Sequence, residues 1–192
     1  QAKRPTALNL EQVKALMGNL HEPTRTMVSL LASTGLRIGE ALGLQWDHVD
    51  LERRVIRVRL NFSNGEWGTL KSQNSVRDLP INLEVATALE ALRVPRAGAW
   101  LVFPNRKGRP LDPHNIGNRE LKPACKAAGI EPIGWHALRH TAVTLMQIPS
   151  PDRARTTDAL LSPLVLVTGI LTHTPSPHLE MMRACLPMPS QS

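Results

Sequence analysis

The amino-acid sequence predicts an α+β fold, mostly helical, with one small antiparallel β-sheet inserted among the helices. Three observations carry this. Apolar residues recur at helical spacing in several separate stretches, "RRVIRVRL" alternates with the period of a half-buried strand, and Asn64-Gly65 is a hairpin-turn signal. A length of 192 residues allows one domain with a sizeable core, or one domain and a short appendage.

The elements follow in order. In "LNLEQVKALMGNL", Leu10, Val13, Met17 and Leu20 share one helical face, with Asn9 as N-cap and Gln12 three residues on, the spacing of a capping box. "TRTMVSLLASTG" is a second helix, which Gly35 ends in the left-handed conformation open to glycine. "LRIGEALGLQ" is a third, short helix. In "RRVIRVRL", Ile56, Val58 and Leu60 face one way and Arg57 and Arg59 the other. Asn64-Gly65 turns the chain into a second strand through Trp67 and Leu70, "KSQNS" is a polar turn, and "VRDLPI" is a third strand. Arg77 there reads as an edge-strand charge that blocks aggregation. Next come a helix, "NLEVATALEALR", and a short strand, "WLVF". A helix over "PHNIGNRELKPACKAAG" is perturbed or divided by Pro123. The last helix starts near Trp135, in "GWHALRHTAVTLM".

After Met146 the composition changes. The first 146 residues hold 9 prolines and all six aromatic residues (Trp46, Phe62, Trp67, Trp100, Phe103 and Trp135), whereas the remaining 46 hold 7 prolines and no aromatic. One short apolar run, Leu160 to Val167, is interrupted by Pro163. Residues 1–146 are therefore expected to form the folded domain, and 147–192 a disordered or poorly packed tail.

A net charge of +7 and a sequence pI near 10.2 fit a polyanionic partner, of which nucleic acid is the commonest, and charge alone fits a generally basic soluble surface as well. Cys125 and Cys185 stand far apart and in no metal-ligand spacing, which suggests a reducing compartment without disulfides. No stretch approaches the roughly 18 apolar residues of a membrane span, and "QAKRPTALNL" lacks the apolar core of a signal peptide. The expectation is a cytoplasmic protein with no membrane partner, no cofactor and no bound metal.

Four features then combine on this basic background. Arg37 and Glu40 sit in "TGLRIGE" at the start of a short helix, Lys71 in "TLKSQNS" at the end of a hairpin strand, and His136, Arg139 and His140 in "HALRH". Taken singly, each has an ordinary reading: a surface helix pair, a solvated lysine, a capping or packed histidine. If they converge on one phosphate, two guanidinium forks can hold a phosphodiester and stabilise its pentacoordinate transition state without a metal. The histidine can exchange a proton with the attacking or leaving oxygen, and the lysine can protonate the leaving alkoxide. Glu40, three residues after Arg37, can hold that guanidinium in place. His140 supports the same helix face.

In that order these motifs resemble the catalytic domain of the tyrosine recombinases, the phage-integrase family. "LLASTGLRIGEALGLQWDHVDLERRVIRV" is similar to the family's first arginine motif and its following Glu. "TLKSQNSVRDLPIN" is similar to the hairpin lysine motif, and "GWHALRHTAVTLM" to the His-x-x-Arg motif. The resemblance covers roughly Leu8 to Met146. It implies that Arg37, His136 and Arg139 bind and activate a scissile phosphate, with Lys71 as general acid. It also implies double-stranded DNA as substrate, cut and rejoined through a 3′-phosphotyrosyl bond by a homo-tetramer on two paired sites, without metal or cofactor. The N-terminal DNA-clamping domain of most members does not precede this stretch, so the chain reads as a fragment or a truncated product.

The resemblance stops after the His-x-x-Arg helix. The family continues with a second His or Trp in a Leu-Gly-His type motif and then the nucleophilic Tyr. Here "ALLSPLVLVTGILTHTPSPH" stands in that place, and the 192 residues contain no tyrosine. A shifted reading frame near Gln147 accounts for this, because the codons of His173 and Thr174 can contain a tyrosine codon out of frame. A diverged tail is the other account. The sequence thus predicts a recombination or integration domain without its nucleophile, unable to cleave DNA. The alternative is a degenerate integrase module that only binds DNA. Attack by another side chain, such as Ser162 or His173, has no base beside it to support it.

Overall fold

A computed structural model of the chain describes residues 7–69, 76–93 and 99–146. Lys71 and the "KSQNS" turn lie outside the described residues, as do Leu70 and everything after Met146, with Ser162, His173 and Cys185.

Helix α1 (Leu10–Gly18) begins at the expected capping box. The Asn9 side chain accepts the Gln12 N–H and the Gln12 side chain accepts the Asn9 N–H, each at 2.9 Å. Val13, Leu16, Met17 and Leu20 are buried beneath it. Helix α2 (Thr24–Thr34) is central, packing against α1, α3, α4 and α7 and burying Met27, Val28, Leu30, Leu31 and Ala32. Gly35, at φ 68°, stops it in the left-handed region. Helix α3 (Ile38–Leu42) follows after Leu36 and Arg37.

The strands are β1 (Val49–Asp50), β2 (Val55–Val58), β3 (Leu60–Ser63), β4 (Glu66–Thr69) and β5 (Arg77–Pro80). They form two antiparallel sheets rather than the single sheet expected. In the order β1-β2-β5, Ile56 stands opposite both Val49 and Leu79; in the β3-β4 hairpin, Phe62 stands opposite Trp67. The chain changes partner at Arg59. Its guanidinium donates to the Val58 and Arg77 carbonyls, each at 3.2 Å, and to Asp78 at 2.7 Å, closing the end of the first sheet. Leu60, expected on the face of Ile56 and Val58, therefore opens the second sheet. The hairpin turn is as expected, with Asn64 at φ 54° and Gly65 at φ 81°. Phe62, Trp67 and Trp100 pack in a row with tilted rings, their centroids 5.1 and 5.4 Å apart.

Helix α4 (Leu83–Arg93) buries Val85, Leu89 and Leu92 against α2. The expected "WLVF" strand does not form. Trp46 donates to the Trp100 carbonyl and Val102 to that of Leu44, each at 3.0 Å, and a single bridge joins Leu101 to Gln45. The bridge between Pro104 and Pro110 then folds the chain back on itself, leaving no length for a ladder. Apolar pressure alone had marked this segment: Leu101, Val102 and Phe103 are fully buried.

Pro123 does divide its helix. Helix α5 (Pro113–Ile116), capped by Asp112, passes through a π turn at Gly117–Leu121 into α6 (Lys122–Ala127). Pro123 has no N–H for the Arg119 carbonyl, and the wider turn just before it absorbs the mismatch. Helix α7 (Trp135–Met146) is anchored at three points. The Trp135 indole donates to the Pro113 carbonyl at 2.8 Å, the Thr141 hydroxyl accepts the Leu8 N–H at 2.9 Å, and Ala137, Leu138 and Ala142 are buried. Val143 and Met146 near its end are exposed. No helix among the described residues is long and apolar enough to cross a membrane.

Candidate functional site

The site is assembled where α2, α3, β5 and α7 meet. Arg37 occupies the N-cap of α3, extended at φ −74° and ψ 148°. Its backbone N–H donates to Glu40 Oε2 at 2.9 Å and its guanidinium to Oε1 at 3.2 Å, so Glu40 closes the first turn of the helix onto it. Glu40 is buried, whereas the Arg37 side chain is 60% exposed and leaves most of its donors toward solvent.

The fuller partner of Glu40 is Arg77. From β5 it donates to Oε1 at 3.2 Å and to Oε2 at 2.9 Å, a two-pronged pair. This corrects the edge-strand reading. The strand β5 does lie at the edge of its sheet, but Arg77 turns inward to a buried carboxylate. A signal was present: Arg77 has the strand parity of Leu79 and Ile81, the apolar side of "VRDLPI". Burial pushes the Glu40 carboxyl up, but the Arg77 hydrogen bond, the Arg37 N–H, the Arg77 charge and the Arg37 guanidinium together outweigh it. The net pKa is held below the ordinary 4.5, so Glu40 is ionised at neutral pH with its charge matched by arginine.

Arg139 approaches from α7. Its guanidinium donates to the carbonyl of Gly35, the residue that ends α2 in the left-handed region. A Cβ at Gly35 would touch Ala142 Cβ at 3.5 Å, so α7 runs directly beside this turn. Only Leu36 separates Gly35 from Arg37, two steps of chain that span at most about 7 Å. One turn of chain thereby carries Arg37 and is bonded by Arg139, 102 positions further on. His136 lies one helical turn before Arg139, and His140 one turn after His136. Both imidazoles are exposed, and their rings meet edge to face with centroids 4.7 Å apart.

Of the residues singled out in the sequence, Arg37, Glu40 and Arg139 are joined through Glu40 and the Gly35 turn, and His136 and His140 lie on Arg139's helix. Lys71 falls outside the described residues. Among the described residues, no group of three or more His, Cys, Asp or Glu could hold a metal ion. The chemistry on offer is anion binding: exposed guanidinium donors beside a carboxylate whose own charge is already matched, with imidazoles on the adjoining helix.

The family profile described as "Phage integrase family" matches residues 6–153. Among curated relatives, an integrase of a Staphylococcus phage is 28% identical over 174 residues, 76% of this chain and 49% of that protein. Tyrosine recombinase XerC of Pseudomonas aeruginosa is 31% identical over 165 residues, 81% of this chain and 48% of that protein. The chain spans about half the length of the curated relatives it matches. Among solved structures, the Tn1549 transposon integrase in complex with transposon right end DNA aligns with a TM-score of 0.67 at 22% identity, over 95% of this chain and 67% of that one. The XerA recombinase aligns at 0.62 and 24% identity, over 96% and 66%. The mostly helical fold with small antiparallel ladders is that of these recombinases.

Proposed function

The chain belongs to the phage integrase family, and from that premise we propose that it is the catalytic-type domain of a site-specific DNA recombinase, with double-stranded DNA as its partner. The observation that carries the reading is the bond from Arg139 to the Gly35 carbonyl, which brings the second arginine to the turn that presents the first. Arg37 and Arg139 hold one DNA phosphate, and His136 exchanges a proton with a phosphate-ester oxygen. Glu40, tied to Arg77, sets the direction of Arg37. Lys71 is the general acid by family resemblance. Relatives named as recombinases and a neighbour solved on transposon DNA support this partner and class. The family-type domain is assigned to residues 1–146, with 147–192 as a tail. Assembly into a tetramer on paired sites follows the family.

The 192 residues contain no tyrosine, so these residues by themselves form no phosphotyrosyl bond. That favours a second reading for the chain alone, DNA binding without cleavage. Both are tested on mixed-sequence duplex DNA with the purified chain. Binding that weakens with salt and is weakened further in R37A and R139A supports the phosphate site. Covalent protein–DNA species that survive denaturing electrophoresis would show cleavage and sink the binding-only reading. Binding indifferent to both substitutions would sink the site itself.

A further inference from the structure

We propose that His136 and His140 form a chelating site for a soft divalent metal ion, zinc in the first place, on the exposed face of α7. The two histidines stand at positions i and i+4 of one helix, the spacing by which helical His-x-x-x-His pairs bind zinc. With zinc–nitrogen bonds of about 2.1 Å, an ion held by both rings sits about 3.2 Å from each centroid, which puts the centroids about 5 Å apart. The observed separation is 4.7 Å. Both side chains are exposed and their rings pack on each other, and among the described residues neither ring makes a hydrogen bond or ion pair, so the rings can turn about χ2 without breaking one. The helix backbone holds the pair at chelating distance before any ion arrives, because Trp135, Ala137, Leu138 and Thr141 fix α7 from beneath. Water or a phosphate oxygen completes the coordination.

The site goes beyond phosphate binding and opposes it in one respect. A ring nitrogen that ligates zinc has its lone pair in the metal bond, and so His136 in the zinc form no longer accepts a proton. The neighbouring Arg139 points to Gly35, and its charge weakens the site without blocking it.

The experiment is calorimetric titration of the purified chain with zinc chloride, with no DNA present, so its result does not depend on the DNA reading. One equivalent binds the wild type, H136Q and H140Q each lose about tenfold or more in affinity, and H114Q, on α5, binds as the wild type does. Zinc-edge X-ray absorption on the wild type alone counts two imidazole nitrogens, which guards against a variant that fails to fold. Unchanged affinity in either H136Q or H140Q, no binding at millimolar zinc, or fewer than two imidazole ligands would overturn the site.

Discussion

Arg37 and Arg77 both hold Glu40, yet their side chains are 60% and 26% exposed. An exposed arm contributes about 0–1 kcal/mol to stability, whereas stripping the partner from a buried carboxylate costs about 3 kcal/mol or more. R77A is therefore expected to lower the unfolding free energy by roughly 2–4 kcal/mol, and R37A by less than about 1 kcal/mol, in urea titrations. In the proposed DNA complex the ranking should reverse for R37A, which would lose a phosphate donor while keeping its fold. Equal destabilisation by the two substitutions would mean that Arg37 is structural. Glu40 adds a pH dependence. Its folded pKa lies below the ordinary 4.5, so its contribution is complete above that value and is lost as pH falls through the folded one. E40Q never has this contribution. The stability gap between wild type and E40Q should be widest near neutral pH and close in acid; a gap that is flat with pH contradicts a charged Glu40.

Helix α3 is only five residues long, and the β3-β4 hairpin lies across it. Two glycines one turn apart make the approach possible. A Cβ on Gly39 would overlap the Asn61 side chain and meet the Phe62 carbonyl at 2.8 Å, and one on Gly43 would meet the Leu60 carbonyl at 3.3 Å. G39A should push the hairpin off α3, at a cost of about 1–3 kcal/mol, and disturb the Arg37 cap two residues away. A thermal transition unchanged in G39A would show that the hairpin is not seated there. Nothing within "LRIGEALGLQ" announces this contact, because the opposing carbonyls lie some twenty residues downstream. What could be read was local: the Asn9 capping box, the left-handed Gly35 and the Asn64-Gly65 turn each declare themselves within four residues. The partner switch at Arg59, the failure of "WLVF" to pair and the inward turn of Arg77 depend on distant chain. Of these, only the parity of Arg77 left a trace in the sequence.

At the scale of the molecule, the charge was legible and its focus was not. A net charge of +7 is compatible with a polyanion; it does not say that Arg139 bonds the turn at Gly35 from which Arg37 follows, two arginines from opposite ends of the domain. Motif order suggested that approach only through the family resemblance, since spacing along a chain carries no information about a contact closed by tertiary packing. The distinction can be measured. If charge acts diffusely, replacing any one exposed arginine should lower DNA affinity by a similar small amount. If two arginines hold one phosphate, their removal should act on the ion count at that phosphate. Each phosphate contact releases condensed counterions, so the slope of log affinity against log salt steepens by about 0.9 per contact. R37A should therefore cost more affinity than R53A, a change at an exposed arginine in the turn before β2 that serves as the diffuse-charge control, yet leave the slope nearly unchanged, because Arg139 still meets that phosphate. Because both arginines serve the same phosphate, only the double variant R37A/R139A should reduce the magnitude of the slope by about 1. Slope losses that simply add would place the two guanidinium groups on separate phosphates and dissolve the single site.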